Sequence, residues 1–423
     1  MSASTHEVAG RARQQPAWSS FPARERGEEA TTSSAPSLTV ADRPLSIAYL
    51  GDPNSIHFRR WVGFMAERGD RVTLIVADGK PIGAGLPATI AIERFTPFTG
   101  HRFRPWGVIA ARRSLRRVIA RVKPDVLNAH YLTVNGLHAW LSGFHPYVVT
   151  LWGSDVFITP KKSRLAALVA RTTLRAADMV MVNSDALLRG ALAVGAPPDR
   201  TEMVQFGVDL TRFAPGPAPA GLRAHLGLEG RRVVFSPRNI TPLYRHQVVV
   251  EAVATLPRDV AVVFSRHRAQ EDELAAVERR VEELGLTDRV VIVPEIAHAE
   301  MLDFYRLADV VVSIPASDST AVTILEALAC EKQVVAGDLP SVREWLGELD
   351  SSALVPIDDV PATAAALARA LDRDPKERAE LGRRARAIVE ARADQAASLA
   401  RVESLYRELA AGSHRGRARR SRP

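Results

Sequence analysis

The chain has 423 residues, 46% apolar and 25% charged, with Lys and Arg outnumbering Asp and Glu by eight. That length is too long for one core and predicts two domains of about 150–200 residues in an ordinary globular protein. The single cysteine, Cys330, excludes an internal disulfide or a cysteine-based zinc cluster and fits a reducing, cytoplasmic compartment.

Residues 1–43 are rich in Ser, Thr, Ala, Glu and Arg, lack the apolar core of a signal peptide and read as a disordered extension. The longest uncharged window, Val126 to Ser154, is interrupted by His130, Asn135, His138, His145 and Pro146, so it is not a membrane span. LSIAYLG (45–51) reads as a buried strand. It is followed by an amphipathic helix over 54–70, with Phe58, Trp61, Val62 and Met65 on one face and Gly69 near its end. Further strands are predicted at 71–77, 124–130, 147–153 and 177–184. FAPGPAPAG (213–221) reads as a linker. The alternation then restarts, with strands at 231–238, 259–266, 289–295, 308–316 and 333–338.

Strands alternating with helices predict an α/β protein of two doubly wound Rossmann-like domains facing across a cleft. The predicted boundaries are 44–214 and 215–395, followed by a C-terminal helix and basic tail over 396–423. Ligands of such sheets sit beyond the C-terminal ends of the strands. Residues 44–214 carry 22 basic against 12 acidic side chains, and residues 215–395 carry 22 against 29. Opposite charge on two similar halves suggests different ligands, the basic half meeting an anionic surface or a phosphorylated lipid.

The segment ASDSTAVTILEALAC (316–330) places Asp318 in a strand-to-helix turn and Glu326 roughly 12 Å along a helix starting at Thr320. The N–H groups of Ser319, Thr320, Ala321 and Val322 form a helix N-terminus suited to phosphate. Together they match a polyhydroxyl diphosphate; by themselves, the two acids equally suit a helix cap and a solvated helix face. Arg238, at the end of the strand VVFSPR, can reach a diphosphate in the same domain.

In order along 45–395, the chain resembles the GT-B-fold glycosyltransferases of family 4, which are retaining and nucleotide-sugar-dependent. The resemblance is carried by LGDPNSIHFRRWVGFMAERGDRVTLI, PDVLNAHYLTVNG, VVTLWGSDV, NSDALLRGALAVG with VQFGVDLTRFAPG, and the Glu-x7-Glu-like region from 308 to Gly337-Asp338. It implies that Glu326 binds the ribose, that Asp318, in place of the family's first Glu, faces the donor sugar, and that Arg238 holds the diphosphate. Leu243 stands where the family usually has Lys, leaving Tyr244 or Arg245 for that contact. Gly51 is implied to let backbone approach phosphate, and His130 to lie beside the transferring sugar. His57, Trp152 (where the family often has His) and Asp155 fall on the acceptor side.

The implied reaction is front-face displacement, the leaving phosphate taking the acceptor's proton, with no cofactor and no metal. The acceptor is a glycan or a lipid-linked molecule in cell-surface polysaccharide synthesis. Asp372-Arg-Asp374 reads as a helix end rather than a metal site. From Arg102 to Lys123 there are eight basic residues and no acidic ones. Val108, Ile109, Leu115, Val118, Ile119 and Val122 oppose Arg112, Arg113, Arg116, Arg117 and Arg121 on this amphipathic helix. Packed on its sheet, it could still meet an anionic membrane, placing the protein peripherally at the inner membrane face. Without interleaved aromatic residues it does not read as a nucleic-acid site. A nucleotide-sugar epimerase and a non-catalytic relative acting as a binding protein remain open. Acceptor-free isomerisation would mark the first, and absence of sugar hydrolysis the second.

Overall fold

Short runs of consecutive Val, Ile, Leu and Ala leave neither face of a strand suited to water, so they fold as parallel strands covered by helices on both sides. In the computed structural model, which describes residues 43–98 and 105–420, these runs build two sheets. The first contains β1 (Ser46–Leu50), β2 (Arg71–Ala77), β3 (Ala91–Phe95), β4 (Val126–His130), β5 (Tyr147–Thr150), β6 (Met179–Val182) and β7 (Thr201–Met203). Their order is β3-β2-β1-β4-β5-β6-β7, every pair parallel. The second contains β8 (Arg232–Asn239), β9 (Val260–Ser265), β10 (Val290–Val293), β11 (Val310–Ser313), β12 (Gln333–Gly337) and β13 (Leu354–Val355). Its order is β10-β9-β8-β11-β12-β13, again parallel throughout.

Strand order reverses between β1 and β4 in one sheet and between β8 and β11 in the other, which opens a crevice at the carboxyl ends of those strands. Helix Ile56–Glu67 leaves β1 through a turn capped by Ser55 and buries Phe58, Trp61, Val62 and Met65. The helix Pro105–Val122 lies against the opposite face, as the reversed crossover direction requires. It buries Leu115, Val118 and Ile119, but Ile109, expected on the apolar face, is exposed. Arg112, Arg113, Arg116, Arg117 and Arg121 point outward, and Arg102 and Arg104 lie outside the described residues.

The segment expected to be a loose linker begins as packed structure. Phe213 is fully buried, its ring 5.9 Å from that of Tyr305. The chain crosses back near residue 394, and helix Gln395–Arg420 returns to the first domain, where Trp61 Nε1 donates to Tyr406 Oη at 3.3 Å. The two crossings touch: Val208 pairs with Asp394 in a parallel bridge, and position 207 takes glycine both because φ is +72 and because a Cβ there would lie 2.5 Å from Gln395 Cα. No helix among the described residues is long and apolar enough to cross a membrane.

Candidate active site

Pairing of β8 with β9 shifts register between Ser236 and Asn239, and Arg238 lies in that irregularity, where a strand re-aims its side chains. Its guanidinium is buried. Nη2 donates to Asp318 Oδ2 at 2.6 Å, Nη1 donates to Thr323 Oγ1 at 2.8 Å, and the Tyr244 ring lies 4.0 Å from Cζ. Burial opposes the Arg238 charge, yet Asp318 and Tyr244 outweigh it and raise the pKa above the usual arginine value. Asp318 therefore meets Arg238 directly, and its other oxygen accepts from Ser319 N–H at 2.9 Å. Helix Val322–Ala329 begins two residues later than the expected Thr320, so the Ser319 amide is already used within the turn. Thr320, Ala321 and Val322 amides have no acceptor among the described residues.

Glu326 is buried, and protein groups already occupy both of its oxygens. Oε2 accepts from Tyr305 Oη at 3.0 Å; Oε1 lies 3.3 Å from Arg60 Nη2 and 3.5 Å from His298 Nε2. Burial favours the neutral acid, but His298 and Arg60 prevail and hold the carboxyl below its ordinary range. Arg60 belongs to the first domain, so this ion pair spans the cleft. It also contacts His298, whose other nitrogen lies 2.7 Å from Arg212 Nη1.

On the first domain, β4 ends in His130, which is fully buried among Phe58, Trp61 and Trp152, ring centroids 4.9–5.6 Å away. Neither ring nitrogen has a hydrogen-bond partner among the described residues, and burial pushes the imidazole down to about 3. His130, expected beside the transferring sugar, thus sits inside an aromatic box at the end of β4. His57 sits 6.0 Å from the Trp152 ring; burial and then Arg60 lower it to about 4, with Glu326, His298 and Arg238 also acting on it. Both domains thus converge on His57.

Asp155 is buried beneath the loop after β5 and accepts N–H groups from Leu132 at 3.0 Å, Trp152 at 3.1 Å and Gly153 at 2.9 Å. Burial nevertheless raises its pKa. The tie to Leu132 joins this loop to the turn after β4, where Tyr131 adopts φ +74, a strained value for a bulky residue. Tyr131 stacks on Trp152 at 5.4 Å and 16°.

The turn after β11 is sewn to the first domain. Ser319 Oγ donates to Trp152 O at 3.0 Å and Thr320 Oγ1 to Asn183 O at 2.5 Å. Glu344 accepts the amides of Asp185 and Ala186 at the start of helix Asp185–Val194, and Arg268 donates to Asn54 O at 2.8 Å.

The fold therefore gathers Arg238, Tyr244, Asp318, Ser319, Thr320, Glu326, His57 and Trp152. Arg245, expected at the donor, instead turns away in a left-handed conformation to pair with exposed Asp358. A Cβ on Gly51 would overlap the Phe58 ring, so packing by itself already requires glycine there. Asp372 pairs with Arg232 at 2.6 Å, and Asp374 caps helix Pro375–Arg392. Arg60, His298, Tyr305 and Tyr131 were missed; the only signal was Arg60 lying one helical turn after His57.

Two family models match, described as glycosyl transferase 4-like over residues 46–184 and glycosyl transferases group 1 over residues 222–388. The D-inositol 3-phosphate glycosyltransferase of Kineococcus radiotolerans is 31% identical over 292 residues, 62% of this chain and 66% of that protein. The match thus spans just under two thirds of that relative. Sucrose-phosphate synthase from Thermosynechococcus elongatus superposes with a TM-score of 0.74 at 21% identity, covering 86% of this chain and 99% of that one. Anabaena HepE, solved in complex with UDP and glucose, gives 0.73 at 20% identity, covering 86% and 100%. Two parallel domains with this strand order, matched in turn by both models, make the chain a member of the group 1 glycosyltransferases of GT-B fold.

Proposed function

We propose that the protein transfers a sugar, with retention, from a nucleotide-sugar donor to a glycan or lipid-linked acceptor. The observation carrying this reading is the convergence of Arg238, Asp318 and Glu326 at the β8/β11 switch point on the acceptor-side loop of Trp152. Anabaena HepE, of the same fold, was solved with UDP and glucose, which supports a uridine diphosphate donor.

In the proposed scheme Arg238 exchanges Asp318 for the diphosphate, and the amides of Thr320, Ala321 and Val322 add to its binding. Asp318, freed from Arg238, accepts hydroxyls of the donor sugar. Glu326 accepts the ribose hydroxyls, which replace Arg60 and His298 on Oε1 while Tyr305 keeps Oε2 oriented. As the sugar–phosphate bond breaks, the sugar acquires oxocarbenium character, and the acceptor hydroxyl attacks from the face the phosphate leaves. The departing phosphate oxygen takes the hydroxyl proton, and Arg238 stabilises the negative charge that develops. This scheme assigns that stabilisation to Arg238 and the amides, without a metal. Asp155 shapes the acceptor side through the Trp152 loop.

Thermal melting with UDP-, GDP- and ADP-sugars, followed by release of free sugar, tests the reading. One nucleotide sugar is expected to raise the melting temperature, since a ligand that binds only the folded state stabilises it. Asp318→Ala and Glu326→Ala are expected to abolish both the shift and the release. No shift with any donor, or conversion to an isomeric nucleotide sugar without acceptor, would overturn it.

A further inference from the structure

Exposed apolar side chains are not scattered evenly over the first domain. Helices Pro105–Val122, Leu137–Ser142 and Arg164–Ala176 pack side by side on one face of the first sheet. The first and last run antiparallel to the parallel strands, so they begin at the sheet's carboxyl edge, where the cleft opens. Trp106 and Ile109 lie in the first turns of one, Leu165 and Leu168 in the first turns of the other. Between them, Val134 follows β4 directly and Ile158 ends the loop after β5. All six are exposed, Trp106 at 78% and Leu168 at 60%, and together they make up more than half of the large apolar residues exposed among those described.

The stretch of chain that carries this rim is basic, although Asp78, at the carboxyl end of β2, accepts from Thr96 beside the same helix. From Arg94 to Ala177 the sequence carries fourteen basic residues and two acidic ones. Of those two, Asp155 is buried and Asp125 is paired with Arg43. Arg112 and Arg113 lie beside the rim on one helix, and Lys161, Lys162 and Arg164 at the start of the other, all exposed. Aromatic and aliphatic tips above a cationic band suit a bilayer, whose apolar interior lies beneath anionic headgroups. A nucleic acid or an acidic polypeptide would meet the cations but leave Trp106, Leu165 and Leu168 in water.

We propose that this rim docks on an anionic lipid bilayer, with Trp106, Ile109, Leu165 and Leu168 entering the headgroup boundary. The cleft mouth then faces the membrane, because the rim and the strand ends share one edge of the sheet. The inference rests on the proposed lipid-linked acceptor only for its purpose. It adds the segment 158–168 to the basic helix and fixes which end of that helix touches lipid.

Flotation with phosphatidylcholine vesicles, with and without phosphatidylglycerol, tests it, together with quenching by brominated acyl chains. The protein is expected to float only with phosphatidylglycerol and to lose binding as salt rises. Brominated chains are expected to quench emission in the wild type but much less in Trp106→Phe. Combining Trp106→Ser, Leu165→Ser and Leu168→Ser is expected to lower binding about tenfold, leaving melting temperature and vesicle-free donor turnover unchanged. No flotation, flotation that survives the triple variant, or binding without quenching would overturn the proposal. Donor turnover read in parallel separates it from the transferase reading: flotation without turnover sinks only the latter, and turnover without flotation only the docking.

Discussion

At the scale of single residues, burial weighs on two histidines of the cleft as well as on Asp155. Burial, the chief cause in both, pushes His130 down to about 3 and His57 down to about 4 from the ordinary 6.5. The unfolded chain therefore takes up these protons first, so stability present above about pH 6.5 is lost as pH falls towards the folded values. Each such histidine adds a slope of up to about 1.4 kcal/mol per pH unit within that window, His130 the more fully because it is the one wholly buried. His130→Leu is expected to remove one such share of the slope in denaturant titrations across that range. At neutral pH it should be no less stable than wild type, since the imidazole nitrogens have no partners among the described residues to lose. A steeper acid dependence in the variant would show that His130 carries its proton inside the box. Arg238, Asp318 and Glu326 were legible in the sequence because a strand end and a helix start fix where such side chains point. Arg60 was not, since nothing on its helix announces a carboxylate 266 residues away, and neither were His298, in a turn, and Tyr305, in the core.

Among the elements, the strands that read clearly from sequence are those buried on both faces, where continuous apolar runs leave no other solution. Three strands gave no such run. In β3, Glu93 and Arg94 interrupt the pattern on an edge strand; β7 is Thr-Glu-Met on the opposite edge; β13 has two residues. Only their neighbours' ladders hold them as strands. The loops after β4 and β5 depend likewise on a tertiary tie, because the three amides gathered by Asp155 have no helix or ladder to satisfy them. Asp155→Ala strands these buried donors and is expected to cost about 3 kcal/mol or more. Asp155→Asn, which keeps one oxygen, should lose less. Equal stability of Asp155→Ala and wild type in denaturant titrations would show that water replaces the carboxylate and that the loops are ordered by other contacts.

For the whole molecule, the described state is one in which the two domains grip each other through polar contacts beside a hydrophobic cluster that runs through both. Glu344 caps a helix of the opposite domain, Ser319 and Thr320 donate to its carbonyls, and Arg60 reaches Glu326. Such contacts exchange readily with water, so a substrate can replace them one by one. Glu344→Ala lies away from the donor cluster and is expected to shift the molecule toward an open form, seen as a larger radius of gyration in solution scattering. An unchanged radius would mean that Glu344 does not hold the domains together. The manner of opening follows from the paired crossings at Val208 and Asp394. A body tied to another by one thread can swivel; tied by two threads lying side by side, it turns only as the cover of a book turns about its spine. Phe206 and Gln395 line the same small cavity as His57 and Trp152, so that spine runs along the floor of the cleft. Both pages of the site would therefore keep their vertical register however wide the book stands.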